Sequence, residues 1–124
     1  MKRNENRLFK IINLIRGEVI LEEAELADTF FKRMQGLLGR KYLPPGNGMI
    51  LYPCRLIHTL GMAFPLDVGL IDSEGRLCRI YENVPPWKTG MGVAQAQSVI
   101  EAPAGTFAAS CTQAGDKLML EIIP

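Results

Sequence analysis

Residues 54–72 read Cys-Arg-Leu-Ile-His-Thr-Leu-Gly-Met-Ala-Phe-Pro-Leu-Asp-Val-Gly-Leu-Ile-Asp, and how this run divides decides the fold. Taken whole it would be one long, nearly apolar strand. Gly61 and Pro65 forbid that: glycine weakens a ladder and proline has no N–H to give it, so two strand pieces with a bend or bulge between them are expected. Asp72-Ser73-Glu74-Gly75 follows as a turn, since Asp72 can accept from nearby backbone N–H groups and Gly75 tolerates positive φ. Leu66–Ile71 and Leu77–Tyr81 therefore pair as a hairpin. The run also holds the chain's one histidine, His58, and a carboxylate, Asp67, set inside an apolar strand.

On the N-terminal side, Pro44, Pro45 and Gly46 make Tyr42–Gly48 a loop, and Met49–Tyr52 is a short strand. Before the loop the apolar period changes. Ala27, Phe30 or Phe31, Met34 and Leu37 or Leu38 recur at three-to-four spacing, which predicts a helix over about Asp28–Leu38. Asp28 is the expected N-cap, Gly36 or Gly39 the expected end, and the Phe and Met face is assigned to the core. Earlier still, Leu8–Ile15 and Val19–Leu21 flank Arg16-Gly17 and predict a hairpin over residues 8–22.

On the C-terminal side, residues 83–93 hold Pro85, Pro86, Trp87, Gly90 and Gly92 and predict a long irregular loop. Ser98–Ala102 is a strand, Pro103-Ala104-Gly105 a turn and Thr106–Thr112 a segment able to wind into a short helix. Lys117–Ile123 is the last strand, with Leu118, Leu120 and Ile122 alternating against Lys117, Met119 and Glu121. The expected fold is one α+β domain over 1–124. Its sheet is mostly antiparallel, strongly bent or barrel-like, and covered by one main helix.

Composition narrows the function. The chain has 124 residues and a formal net charge of +1, with acids and bases scattered, so it offers no extended field for a polyanion such as nucleic acid. The basic cluster Lys2, Arg3 and Arg7 reads as a solvated terminus. Leu8–Ile15 has the outline of a secretory signal, but Lys10 and Asn13 interrupt it and no small-residue cleavage site follows, so no signal is expected. No run approaches the ~20 apolar residues of a membrane span. Cys54, Cys78 and Cys111 are odd in number and far apart, which predicts free thiols and a cytoplasmic location.

Several ordered motifs go further. They are Phe31-Lys32-Arg33-Met34-Gln35-Gly36-Leu37-Leu38-Gly39-Arg40; Gly48-Met49; His58-Thr59 with Met62; Phe64-Pro65-Leu66-Asp67-Val68 and Asp72; Pro86-Trp87; Val99-Ile100-Glu101-Ala102-Pro103-Ala104-Gly105-Thr106; and Gly115-Asp116. Together, over about residues 27–120, the chain resembles the domain-of-unknown-function 192 family of small bacterial and archaeal proteins. The resemblance implies a mostly β domain with a helix, found alone or behind a signal peptide. It implies no established activity and no catalytic residues. The chain departs from the family in its expected lack of a signal and in Ala102-Pro103, where members often have Leu-Pro.

The candidate ligand-binding cleft comprises His58, Asp67, Arg33 and Trp87. Asp67 must be hydrogen-bonded, paired or exposed in a wet cleft; Gly69 on its face leaves room for an approaching side chain or ligand; Arg33 is the expected ion-pair partner from the helix. Trp87 reads as a lid on the core or as a ligand platform, and Glu101 as a solvated face residue. Cys54 and His58 have a Cys-x3-His spacing, but zinc sites draw on closer pairs, so no metal and no cofactor are expected. On an extended chain that spacing is ~13 Å, too far for direct activation of the thiol. Three functions remain open. The first is a non-enzymatic accessory module binding a small ligand or a protein partner at the cleft. The second is a small hydrolase or isomerase with His58 as general base oriented by Asp67, and Arg33, Arg40 or Lys88 holding developing charge. The third is a structural subunit pairing through a sheet edge.

Overall fold

The computed structural model describes residues 7–124; Lys2 and Arg3 of the basic cluster lie outside the described residues. Strands β1 (Leu8–Asn13) and β2 (Glu18–Ala27) form the expected first hairpin. Asn13 closes it. Its side-chain oxygen accepts from the N–H groups of Ile15 and Arg16 at 2.9 and 3.0 Å, the local bonding that makes Asn a turn residue.

After β2 come helix α1 (Phe30–Gln35), β3 (Asn47–Leu51), the short β4 (Leu56–Ile57), β5 (Leu66–Asp72), β6 (Leu77–Val84), the short β7 (Met91–Gly92), β8 (Ala96–Pro103), the four-residue helix α2 (Thr106–Ala109) and β9 (Leu118–Ile122). The run 54–72 divides as its glycine and proline require, and its two pieces enter different sheets. β4 pairs with β7, while β5 lies in a seven-stranded sheet of order β6-β5-β8-β3-β2-β1-β9. That sheet is mixed: β2 and β3 run parallel and the other pairs are antiparallel.

The sheet curls into a half-barrel whose edge strands meet at one end. Arg76 bridges Lys117, Leu77 N–H reaches the Asp116 carbonyl at 2.9 Å and Leu118 N–H the Gly75 carbonyl at 2.8 Å. A buried polar knot fastens this end. Asn13 Nδ2 donates to Asp116 Oδ2 at 2.9 Å and to Thr112 Oγ1 at 3.1 Å, and Arg16 Nε pairs with Asp116 Oδ2 at 3.1 Å. Burial raises the Asp116 carboxyl, but the bonds from Asn13, Gln113 and Arg16, with the Arg16 charge, outweigh it and hold the group below its usual range.

The expected main helix is corrected in three respects. It starts later, because β2 stays in its ladder with β3 as far as Ala27, opposite Leu51; tertiary pairing overrides the local period. Its N-cap is Thr29, whose Oγ1 accepts from Lys32 N–H at 3.1 Å, and not Asp28. Finally, six residues span only ~9 Å, too little to cover a seven-stranded sheet, and Phe30, Phe31 and Met34 face solvent, being 65%, 80% and 56% exposed. Gly36 ends the helix as expected, at φ 49°.

Two apolar layers, one on each face of the pleat, do the covering. One joins Met49, Leu51, Val68 and Val99 to loop residues Leu37, Leu43 and Met62. The other joins Ile50, Ile100 and Ala102 to Phe107 of α2. Phe107 is fully buried, worth ~1.5–3 kcal/mol by area. Its ring takes the space left by Gly69, where an added Cβ would stand 3.0 Å from Phe107 and 2.8 Å from Leu77. On β9 only Leu118 is buried, since an edge strand has little to lean on; Leu120 and Ile122 are exposed. Among the described residues no helix is long and apolar enough to cross a membrane.

Candidate functional site

The pleat decides which side chains meet. On β5 and β8, Val68 stands opposite Glu101 and Asp67 opposite Ala102, so Asp67 and Glu101 project to opposite faces. Asp67 takes the α2 face and is fully buried there. Its Oδ1 accepts from Asn83 N–H at 2.8 Å and its Oδ2 from Phe107 N–H at 3.0 Å. The short helix begins at Gly105, which supplies no side-chain cap, and the strand carboxylate satisfies one of its open N–H groups instead. Arg33 is not its partner: Arg33 Nη1 donates to the Tyr52 carbonyl at 3.1 Å, and the ion pairs among the described residues are Arg16–Asp116 and Arg40–Glu25.

Glu101 takes the other face, beneath a groove of about 280 Å³ between α1 and residues 54–62. Arg33, Cys54 and His58 line this groove with it, and Phe30, Met34, Leu38, Leu60 and Met62 supply apolar wall. Glu101 is not on a solvated face as the strand pattern suggested; it is 5% exposed. Oε1 has no hydrogen-bond partner among the described residues. Burial without a donor disfavours the charged form, and the carboxyl is raised from 4.5 to about 7.

The neighbours are differently employed. Burial pushes the Cys54 thiol up; a backbone hydrogen bond at Leu56 lowers it, the Glu101 charge raises it again and Arg33 lowers it, with a net rise. Cys54 is thus a thiol and a poor nucleophile. His58 is exposed, and its Nδ1 accepts from Leu60 N–H at 3.1 Å, which leaves Nε2 uncommitted. All three cysteines are free. No three His, Cys, Asp or Glu side chains among the described residues are grouped as metal ligands.

Of the four residues singled out from the sequence, the groove brings together His58 and Arg33. Asp67 lies on the opposite face. Trp87 is elsewhere too: it is 68% exposed, and so does not cap the core. Its loop is clamped by a residue the sequence reading passed over. Thr59 is fully buried; its Oγ1 donates to the Pro85 carbonyl at 2.7 Å and accepts from Lys88 N–H at 2.9 Å, while its carbonyl accepts from Trp87 N–H at 2.9 Å. Glu101 was also missed as a site residue, and Cys54, weighed as a metal ligand and as a nucleophile and set aside, lines the groove. For Glu101 the signal was present: an acid inside Val99-Ile100-Glu101-Ala102 is the same interruption that drew notice to Asp67.

Comparison with known proteins agrees with this geometry at the level of the fold. The family model of domain of unknown function 192, described as an uncharacterized ACR, matches residues 11–120; the match reaches back into β1, further than the motifs suggested. A UPF0127 protein of Thermococcus sibiricus is 29% identical over 119 residues, 90% of this chain and 75% of that one. One of Pyrococcus furiosus is 27% identical over 113 residues, 87% and 95% of the two chains. Among solved structures, a proposed transcription regulator from Sinorhizobium meliloti superposes with TM-score 0.78 at 25% identity, covering 97% of each chain. A protein of unknown function from Novosphingobium aromaticivorans gives 0.77 at 24% identity, over 90% of this chain and 83% of that one, which speaks for the fold alone.

Proposed function

The chain belongs to the uncharacterised domain-of-unknown-function 192 family, and on that premise we propose that it is a binding module for a small amphipathic ligand held in the groove between α1 and residues 54–62. The observation that carries this reading is Glu101: a buried carboxyl oxygen without a donor is costly, and a ligand N–H or O–H seated in the groove removes the cost. The setting is that of a ligand pocket, largely apolar with a few convergent polar groups. Its volume of about 280 Å³ lies near the lower end of the ~300–1,000 Å³ of small-molecule pockets, room for a metabolite and not for a folded partner. The net charge of +1 favours a small ligand over a polyanion. Three free thiols suit the cytoplasm.

A second reading, acid–base catalysis, draws on one observation: a carboxyl raised to about 7 shares the groove with the His58 ring, and such a group is matched to proton transfer near neutral pH. Orientation of His58 by Asp67 forms no part of it, because both Asp67 oxygens are engaged on backbone N–H groups.

The test is a metabolite library screened by thermal shift on the wild type and on Glu101→Leu, an apolar replacement that removes the unpartnered group. Hits that raise Tm in the wild type and lose their effect in the variant are expected. A screen with no hits, or hits indifferent to the substitution, contradicts the reading; turnover of a hit decides for the enzyme.

A further inference from the structure

A carboxyl and a guanidinium line the groove without meeting. Glu101 rises from β8 at the floor and Arg33 descends from α1, both in the lining, yet they form no ion pair; the pairs among the described residues are made elsewhere. Arg33 spends one donor on the Tyr52 carbonyl, and a guanidinium has five. Glu101 Oε1 is spoken for by nothing among the described residues. The side chains between and around them are apolar: Phe30 and Met34 on the helix side, Leu60 and Met62 opposite.

Resting on the binding reading above, we propose that the occupant is a small zwitterion with an apolar side chain, of the class of a free aliphatic amino acid, its ammonium on Glu101 and its carboxylate on Arg33. A ligand with both charges completes both groups at once through charge-assisted hydrogen bonds. A simple carboxylic acid leaves Glu101 without a donor and adds a like charge near it; a simple amine leaves Arg33 unmatched. The wall selects for the side chain, since a polar one would be desolvated against Phe30, Met34, Leu60 and Met62. The groove's volume of about 280 Å³ suits a single amino acid rather than a peptide chain. Because the ammonium requires an ionised Glu101, binding near neutral pH expels a proton from that carboxyl.

Calorimetry at pH 7 with three probes tests this: L-leucine, 4-methylpentanoate, which lacks the amine, and 3-methylbutylamine, which lacks the carboxylate. L-leucine is expected to bind at least ~10-fold tighter than either, the order of effect of one charge-assisted bond. Glu101→Gln lowers L-leucine to the level of 4-methylpentanoate, and Arg33→Met lowers it to the level of the amine. The L-leucine enthalpy varies with the ionisation enthalpy of the buffer in the wild type and not in Glu101→Gln. Equal binding of one truncated probe and L-leucine, indifference to Glu101→Gln, or no binding of any of the three overturns the zwitterion. The groove itself is judged separately by the library hits and their loss in Glu101→Leu, so the two failures are distinguishable.

Discussion

Two acids interrupt apolar strands of this chain, and at the residue scale they have opposite fates. Asp67 finds two backbone donors on one face, while on the other Glu101 Oε1 finds none among the described residues. Asp67→Asn leaves one of the two N–H groups facing an amide NH₂, so a loss of ~2 kcal/mol in urea unfolding is expected, with L-leucine affinity unchanged. A loss of affinity at unchanged stability would contradict the structural role. Glu101 couples stability to pH in the opposite sense to most carboxyls. Its folded value of about 7 exceeds the usual 4.5, so the folded state holds the proton longer than the unfolded chain does. That stabilising share is fully present below about pH 4.5 and is lost as pH rises through 7, up to roughly 3 kcal/mol. Glu101→Gln flattens the profile over that window, which unfolding curves at stepped pH will show. That Asp67 had to be bonded, paired or in a wet cleft was legible; Glu101, expected on a solvated face, is buried instead. Which one lacked partners was not legible, because the donors to Asp67 lie 16 and 40 positions away in the chain.

At the scale of elements, turns were the legible part and helix bounds were not. Arg16-Gly17 and Asp72 to Gly75 read as turns and both hairpins form there, although the first strand ends at Asn13 rather than at Ile15. The helix carried a sound period, yet β3 draws Ala24–Ala27 into a parallel ladder, which no local pattern reports. What remains of α1 presents its apolar side chains to solvent and the groove rim, so Phe31→Ser should change stability by less than ~0.5 kcal/mol. A loss of several kcal/mol in chemical denaturation would restore α1 to the core. Thr59 has the contrary expectation. Thr59→Val strips the Pro85 carbonyl and Lys88 N–H of their buried partner, and faster amide exchange at Lys88 is the expected sign, with a stability cost of ~1–3 kcal/mol.

Across the whole molecule, the half-barrel is fastened at one end by Asn13, Arg16 and Asp116 and carries its groove on the face away from α2. The two perturbed carboxyls couple stability to pH in opposite senses. Asp116 is held below its usual 3.8, so its stabilising share is present above about pH 4 and lost as pH falls through the folded value, while the Glu101 share declines above 4.5. The combined contribution of these two groups is therefore greatest near pH 4 to 4.5. Everything assigned to the groove rests on a buried Glu101 whose Oε1 has no partner among the described residues, and a carboxyl-carbon NMR titration of glutamate-labelled protein observes that group directly. One resonance titrating at about 7, absent from Glu101→Gln and shifted to lower pH by L-leucine, is the predicted result. A Glu101 signal that titrates near 4.5 with the exposed glutamates would contradict the account.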